Sequence, residues 1–400
     1  MKTLLFAWRY LWARPLGAVL NVLLLALGLA SVSFLLLVGY QLNRAFERDL
    51  AGIDLVVGAK GSPMQLILSG VLHVDVPPGN VPLSAVRALA TNPLVERIIP
   101  ISLGDSLQGY RIVGTSPDYI AHYRAGLAEG RLWNAPMEAV VGASAAHRLG
   151  LTLGQQFVGT HGLGGGGHAH GDSRYTVVGI LAPNASVLDR LILTDTASVW
   201  KVHEDHTALD DEDRAVMEQE REITMALVLY KTPMAALSLP RYVNSSTEMQ
   251  AAAPALEISR LLHMLGLGSD VLRAFAGVLL LTAAMSVFIA LWSAVRERQG
   301  DLALLRMLGA SPAKVAALLL CEALWLGLLA ALLGLALGQA FAAALGWFLQ
   351  LDNSLLVAGM VWPTELAMVP LLARVVSLSA ALLPAWAAYR VSVLELLQAR

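Results

Sequence analysis

The stretch RERQGDLALLRMLGASPAK, Arg296–Lys314, decides the architecture of this 400-residue chain. It is short and charged, and long apolar runs flank it on both sides: 273–295 before it and 315–348 after it. A third run, 366–388, follows, and a fourth, 17–40, lies near the N-terminus. A bilayer core of ~30 Å is crossed by ~20 residues of apolar helix, so the four runs predict four transmembrane helices. The first run outlasts the apolar core of a secretory signal and reads as a retained anchor. Between it and the second run lies a long, largely polar segment, residues 45–270.

Composition agrees. Hydrophobic residues make up 56% of the chain and charged residues 14%, against about a quarter charged in ordinary soluble domains. The formal net charge of −2 supplies no field to attract nucleic acid. The single cysteine, Cys321, lies inside an apolar run and excludes an internal disulfide.

Basic residues near helix ends set orientation. Lys2, Arg9 and Arg14 precede the first run, Arg296, Arg298, Arg306 and Lys314 separate the second from the third, and Arg390 and Arg400 follow the fourth. Four crossings put all three groups on one face, which predicts cytoplasmic termini and an extracytoplasmic 45–270 segment. That segment mixes patterns. Short β-type runs occur at 52–58, 71–76, 139–141, 174–181 and 223–230, and 94–114 reads as two strands turning at Gly104-Asp105. Helical patterns occupy 83–91, 198–220 and 254–265. The predicted fold is therefore an α-helical membrane protein with four transmembrane helices plus a large α+β extracytoplasmic domain inserted between helices 1 and 2. Its parts are residues 1–44, 45–270 and 271–400, the last carrying the charged segment 296–314.

With these residues in view, the chain resembles the FtsX-like permease family, which includes MacB-type and lipoprotein-releasing ABC transporter subunits. The resemblance rests on Arg296-Glu297-Arg298, on Asp301-Leu302-Ala303-Leu304-Leu305-Arg306, and on Leu308-Gly309-Ala310-Ser311. Leu383–Arg390 is similar to the family's last helix, although Val391–Leu397 lacks the proline the family places before its final Glu-Ala-Leu. The segment Val57–Pro82 is similar to one sub-branch of such permeases. The resemblance implies a bacterial inner-membrane permease working as a homodimer with two copies of a cytoplasmic ATPase, which would bind the ATP and Mg²⁺. It also implies a lipoprotein, envelope or other periplasmic client. Contact with the ATPase would fall to Arg296, Arg298, Asp301, Leu302, Leu305, Arg306, Leu308 and Gly309. Helical spacing puts Leu302, Leu305 and Leu308 on one face, a pattern that docks into a partner's groove. An ordinary loop whose charges only set topology would not need that ordered series.

The chain contains no G-x-x-x-x-G-K-[ST] phosphate loop. Gly58-Ala59-Lys60-Gly61-Ser62 lacks the spacing and reads as a turn. No nucleophile–base arrangement stands out either, so the expectation is a non-enzymatic subunit.

Three further features call for placement. Ala330, Gly334, Gly338, Ala342 and Gly346 recur every fourth residue, a flat ridge for close helix packing; its expected partner is the second span or another protomer. Glu322 and Arg374 are ionisable residues inside spans, at depths close enough to pair or to contact the interface separately. The loop THGLGGGGHAHGD, 160–172, offers His161, His168, His170 and Asp172, and His203 and His206 form a second cluster. Imidazole and carboxylate suit zinc or another transition metal; a solvated spacer is the plain alternative. Two other functions thus stay open: a metal-linked transport or sensing component, and a scaffold controlling a periplasmic cell-wall hydrolase.

Overall fold

The computed structural model describes residues 2–13, 15–162, 169–204, 217, 220–297, 299–351 and 361–390. The chain divides into two compact units. One, helical, contains Met1–Asn43, Met264–Leu351 and the last helix; the other, α/β, spans Arg44–His263.

The helical unit is built from α1 (Lys2–Leu11), α2 (Pro15–Asp49), which runs on into the α/β unit's chain, and the counterpart helix that returns from it, Pro254–Glu297. A short helix, Gln299–Met307, then leads to Pro312–Leu351 and finally to Met368–Tyr389. In chain order these last four are α9, α10, α11 and α12. Among the described residues, four segments are long and apolar enough to cross a membrane: Pro15–Asp49, Asp270–Glu297, Pro312–Phe348 and Thr364–Tyr389. Pro15 and Pro312 stand at first helical positions, where the missing N–H costs nothing and the fixed φ favours the helix.

The small-residue ridge of α11 meets the first span, not the second. A Cβ on Gly334 would lie 2.7 Å from Leu29 Cβ and 3.1 Å from the Ala26 carbonyl oxygen. A Cβ on Gly338 would collide with Ser33 Cβ and lie 3.2 Å from the Ala30 carbonyl oxygen. The reason is complementarity: α2 offers its own small face, Ala26, Ala30 and Ser33, so two backbones close on each other. Ala330, Ala342 and Gly346 are buried in the same helix. Elsewhere Gly327 of α11 faces Ser377 and Ala373 of α12, and Gly28 of α2 faces Leu280 of α9. The buried Asn21 of α2 accepts a 2.7 Å hydrogen bond from Ser286 of α9, a polar tie between apolar helices. The helix α1 lies against α11, with the Trp8 and Trp325 rings 4.8 Å apart and the Trp325 indole N–H donating to the Leu4 carbonyl at 3.0 Å.

The α/β unit is organised by one ten-stranded mixed sheet. Its elements in chain order are β1 (Leu55–Ala59), α3 (Pro63–Gly70), β2 (Val81–Pro82), α4 (Leu83–Ala90), β3 (Val95–Leu107) and β4 (Tyr110–Thr115). There follow α5 (Asp118–His122), β5 (Leu127–Gly130), β6 (Glu138–Val141), α6 (Ala143–Leu149), β7 (Gln156–His161) and β8 (Ala169–Leu181). The last are β9 (Ile192–Asp195), α7 (Thr196–Glu204), β10 (Glu222–Ile223), β11 (Met225–Tyr230), α8 (Ala235–Ser246) and β12 (Met249–Ala252). The sheet order is β12-β1-β11-β3-β4-β9-β6-β8-β5, with β7 bridging β3 and β8; β2 and β10 pair separately. The β4/β9 and β6/β8 pairs are parallel and the others antiparallel. Two cores form on this sheet. In one, α4 and α8 set Val86, Leu89, Leu239 and Val243 against Leu55, Val57 and Val228. In the other, α6 and α7 set Ala145, Ala146 and Val202 among Ile112, Val141, Phe157 and Tyr175.

Local chemistry overrode two sequence expectations. The 94–114 turn falls at Gln108-Gly109, whose φ values of 50° and 86° make the paired left-handed turn that suits twisted strands. Gly104-Asp105 instead interrupts the β3/β4 register as an irregularity within β3. Residues 71–76 form no strand: they leave the C-terminal end of α3 as a turn and loop in which His73 takes a left-handed φ of 56°, incompatible with a strand. The helical pattern at 198–220 is α7 through Glu204; residues 205–216, 218 and 219 lie outside the described residues.

Gly338→Val should drive a side chain into Ser33 and cost about 1–3 kcal/mol by overpacking. Gly39→Ala, where a Cβ meets open space, should be neutral or stabilise by up to about 1 kcal/mol. Denaturant unfolding of the detergent-solubilised chain measures both.

Candidate functional site

The charged connector folds into a compact element. Helix α10 ends in a Schellman motif: the Ala310 N–H reaches the Leu305 carbonyl and the Gly309 N–H the Arg306 carbonyl, both at 3.0 Å. Gly309, with φ +94°, supplies the left-handed residue this closure requires. Ser311 then caps α11, accepting from the Lys314 N–H at 3.4 Å. The chain therefore stops one helix and starts another within four residues, Leu308–Ser311.

The faces differ from the sequence expectation. Leu302 is 3% exposed, and it and Leu305 pack into the helical core with Val295, Val315 and Leu319. Leu308 is 84% exposed, and Leu304 and Met307 are exposed beside it. The three-leucine face is thus split, because Leu308 is the cap residue and leaves the helix surface that Leu302 and Leu305 share. The apolar surface open to a partner is Leu304, Met307 and Leu308, a set that spacing alone did not single out. Arg296 is exposed at the end of α9, and Arg306 is partly buried in α10. Asp301 lies in α10, and Arg298 is outside the described residues.

A second constellation holds the end of α2. Asp49, the last residue of that helix, is 4% exposed and belongs to the α/β unit. Its carboxylate accepts the Val187 N–H at 3.1 Å, and its carbonyl accepts the Tyr123 hydroxyl at 2.6 Å. The Arg48 side chain approaches the same carboxylate at 3.6 Å. The receiving loop is set in advance by the buried Asp189, which accepts the N–H groups of Asn184 and Ala185 at 3.1 and 2.8 Å and holds Ala185 at φ +60°. Tyr123 stacks edge-on against Tyr119, whose hydroxyl lies 3.0 Å from His73 Nε2. Burial holds His73 well below the usual histidine range and pushes the Tyr119 and Tyr123 hydroxyls up. Arg111, also buried, donates to the Ser69 and Asp75 carbonyls at 3.3 and 2.7 Å, and burial lowers its pKa to about 10. No sequence signal marks this network, whose members come from five separate stretches of chain.

The histidine-rich hairpin is only partly placed. His161 ends β7 directly across from Asp105 of β3, with Nδ1 3.3 Å from the carboxylate oxygen. His170 and Asp172 lie on β8 and His203 on α7, whereas His168 and His206 fall outside the described residues. Among the described residues, no group of three or more His, Cys, Asp or Glu side chains is arranged to hold a metal. Asp105 is the residue that sequence reasoning missed here; it became visible only through the β3/β7 register.

The intramembrane charges do not meet. Glu322 is buried at 3% exposure and Arg374 is exposed, and among the described residues no ion pair joins them. The candidate turn at Gly58–Ser62 is the end of β1 and the cap of α3, with Lys60 paired to Glu248 at 3.3 Å.

An apolar four-helix unit and a mixed-sheet α/β domain define a multi-pass membrane protein with a large water-soluble part. The model of the MacB-like periplasmic core domain matches residues 18–235, and that of the FtsX-like permease C-terminal region matches residues 273–393. The chain belongs to the FtsX/MacB-type family of ABC transporter permeases. Members of the family are membrane-embedded and work with a cytoplasmic ABC ATPase. Among solved structures, the periplasmic region of MacB from Actinobacillus actinomycetemcomitans is similar at 12% identity and TM-score 0.36, covering 54% of this chain and 95% of that one. The extracellular domain of the transporter YknZ from Gram-positive bacteria is similar at 12% identity and TM-score 0.30, covering 49% and 98%. No curated protein matches the sequence.

His73 gives the α/β domain a testable pH response. In the unfolded chain its imidazole protonates below about 6.5, whereas burial holds the folded ring neutral to a well lower pH. Stability should therefore fall as pH drops below about 6.5, by up to roughly 1.4 kcal/mol per pH unit until the folded-state value is reached. His73→Asn tolerates the same φ of 56° and should flatten that slope in urea melts, leaving the smaller part due to His122, which burial also lowers.

Proposed function

We propose that this chain is the membrane subunit of an ABC system in which a dimeric cytoplasmic ATPase drives movement of the α/β domain against a periplasmic client, a lipoprotein or another envelope component. Both termini are cytoplasmic in this reading, the α/β domain is inserted between the first and second spans, and two copies of the chain assemble. Chemistry is left to the ATPase, which binds ATP and Mg²⁺. The observation that carries the reading is α10, a helix closed at its C-terminal end by the Schellman motif, whose Leu304, Met307 and Leu308 are exposed while Leu302 and Leu305 fix it to the helical core. Such an element holds an apolar surface rigidly for a partner and moves only with the spans it is packed on. Unbroken helices α2 and α9 supply the route onward, and Asp49 seats the first of them in the domain.

Two variants separate docking from transmission. Leu308→Asp should weaken ATPase association by about 2 kcal/mol, the scale of losing an interface hot spot, as measured by co-purification and by loss of permease-stimulated ATP hydrolysis. Asp49→Ala should leave that association intact while abolishing ATP-dependent distance changes between spin labels on the α/β domains. Wild-type stimulation in Leu308→Asp would remove α10 from the contact.

The cross-strand contact of Asp105 with His161 favours a second reading, transition-metal binding at the β7–β8 hairpin. A carboxylate beside an imidazole fixes ring orientation in the way second-sphere partners of metal ligands do. Calorimetry with zinc on the full chain should give a binding isotherm that disappears in a variant with His161, His168 and His170 changed to Ala. Equal heats from both proteins would make the hairpin a spacer.

A further inference from the structure

The helical unit contains a cleft of ≈ 290 Å³ at the elbow where α1 gives way to α2, lined by Leu11, Trp12, Ala18, Val22, Leu329 and Leu333 among others. All of its lining side chains are aliphatic or aromatic. Water does not settle in such a space, because a buried water needs two to four polar partners. Nor does a helix fit, since one measures ~10–12 Å across with its side chains, and this volume holds only about ten water-sized groups at ~30 Å³ each. The shape left over suits a narrow hydrocarbon thread.

The surroundings say where that thread comes from. Two of the cleft's walls, α2 and α11, are spans long and apolar enough to cross the bilayer. The third, α1, is amphipathic: Leu4, Leu5 and Phe6 are exposed apolar residues and Arg9 is an exposed cation. Helices of this kind lie in the plane of the lipid headgroups. Arg9 lies in the last turn of α1, three residues before Trp12, which follows the helix and lines the cleft. Trp8 and Trp325, whose rings meet at a tilt of 58°, are the residue type that sits at the membrane–water boundary. We propose that the elbow is a binding site for a membrane phospholipid, one acyl chain occupying the cleft and an anionic headgroup facing Arg9. The bound chain would fill the gap that the break between α1 and α2 opens and so hold the two helices at their angle.

The test is native mass spectrometry of the full-length chain extracted from its membrane in mild detergent. Wild type should retain one phospholipid adduct enriched in anionic headgroups. Ala18→Phe, which fills the cleft from α2, should cut adduct occupancy about tenfold. Val19→Trp, from a more exposed position at the mouth, should do the same if Ala18→Phe folds poorly. Arg9→Gln should keep the adduct and lose its anionic enrichment. Absence of a retained phospholipid in wild type, unchanged occupancy in a folded cleft-filling variant, or a lipopeptide mass in its place would each overturn the assignment.

Discussion

The helical unit depends on the near-contact of two backbones where Gly334 and Gly338 of α11 meet Ala26, Ala30 and Ser33 of α2. In lipid no hydrophobic gain drives helices together, because acyl chains are as apolar as leucine; packing contacts and a few hydrogen bonds must suffice. Removing side chains from the contact lets dispersion act over the whole interface and brings helix flanks close enough for the Asn21–Ser286 hydrogen bond and the Gly28–Leu280 contact to gather α9 around the same α2. On its other side α11 carries α12 through Gly327. The helix rich in small residues is thus the hub, and Leu25, Leu29, Ala283, Ala330 and Ala373 form its core.

The α/β domain rests on a different balance. Its strands are apolar on both faces near the centre of the sheet, as the burial of Ile112 and Val113 on β4 and of Ile192 and Leu193 on β9 shows. Two sets of helices supply the covering layers. Within it, charged and polar groups are buried in connected fashion: Asp49, Asp189, Tyr119, Tyr123, His73 and Arg111 each find backbone or side-chain partners. Burial makes such groups costly unless satisfied; here His73 Nδ1 has no partner among the described residues, while Asp49, Asp189, Tyr123 and Arg111 are tied to fixed backbone positions that hold a single arrangement.

The four spans and the mixed domain were legible in the sequence, because hydropathy over about twenty residues and strand-like alternation are local signals. The small ridge was legible as a surface but not its partner, since the matching face on α2 is disguised among leucines. The turn at Gln108-Gly109 lost to Gly104-Asp105 because the latter looks more turn-like, although Gly109 carries the required φ. The exposed set on α10 was misread at two of its three positions, because Leu302 and Leu305 turn to the helical core and Leu308 lies past the last helical residue. Asp49 was invisible for a simpler reason: its role is defined by Val187 and Tyr123, far along the chain. The metal ligands proposed from composition stay as a sequence pattern, since the register places only His161 against a carboxylate.

The double joint between α10 and α11 has a mechanical corollary. With Gly309 ending one helix and Ser311-Pro312 beginning the next, the two cannot fuse into a single rod, and Leu302 and Leu305 pin the shorter one down. A push on α10 therefore finds no compliance in the corner and is inherited by α11 as a whole-body displacement. At the far side of α11, Leu29 and Ser33 of α2 sit in the recesses that Gly334 and Gly338 leave for want of a side chain. That interlock opposes sliding as well as separation, so a displacement of α11 is handed to α2 rather than lost as slip between them.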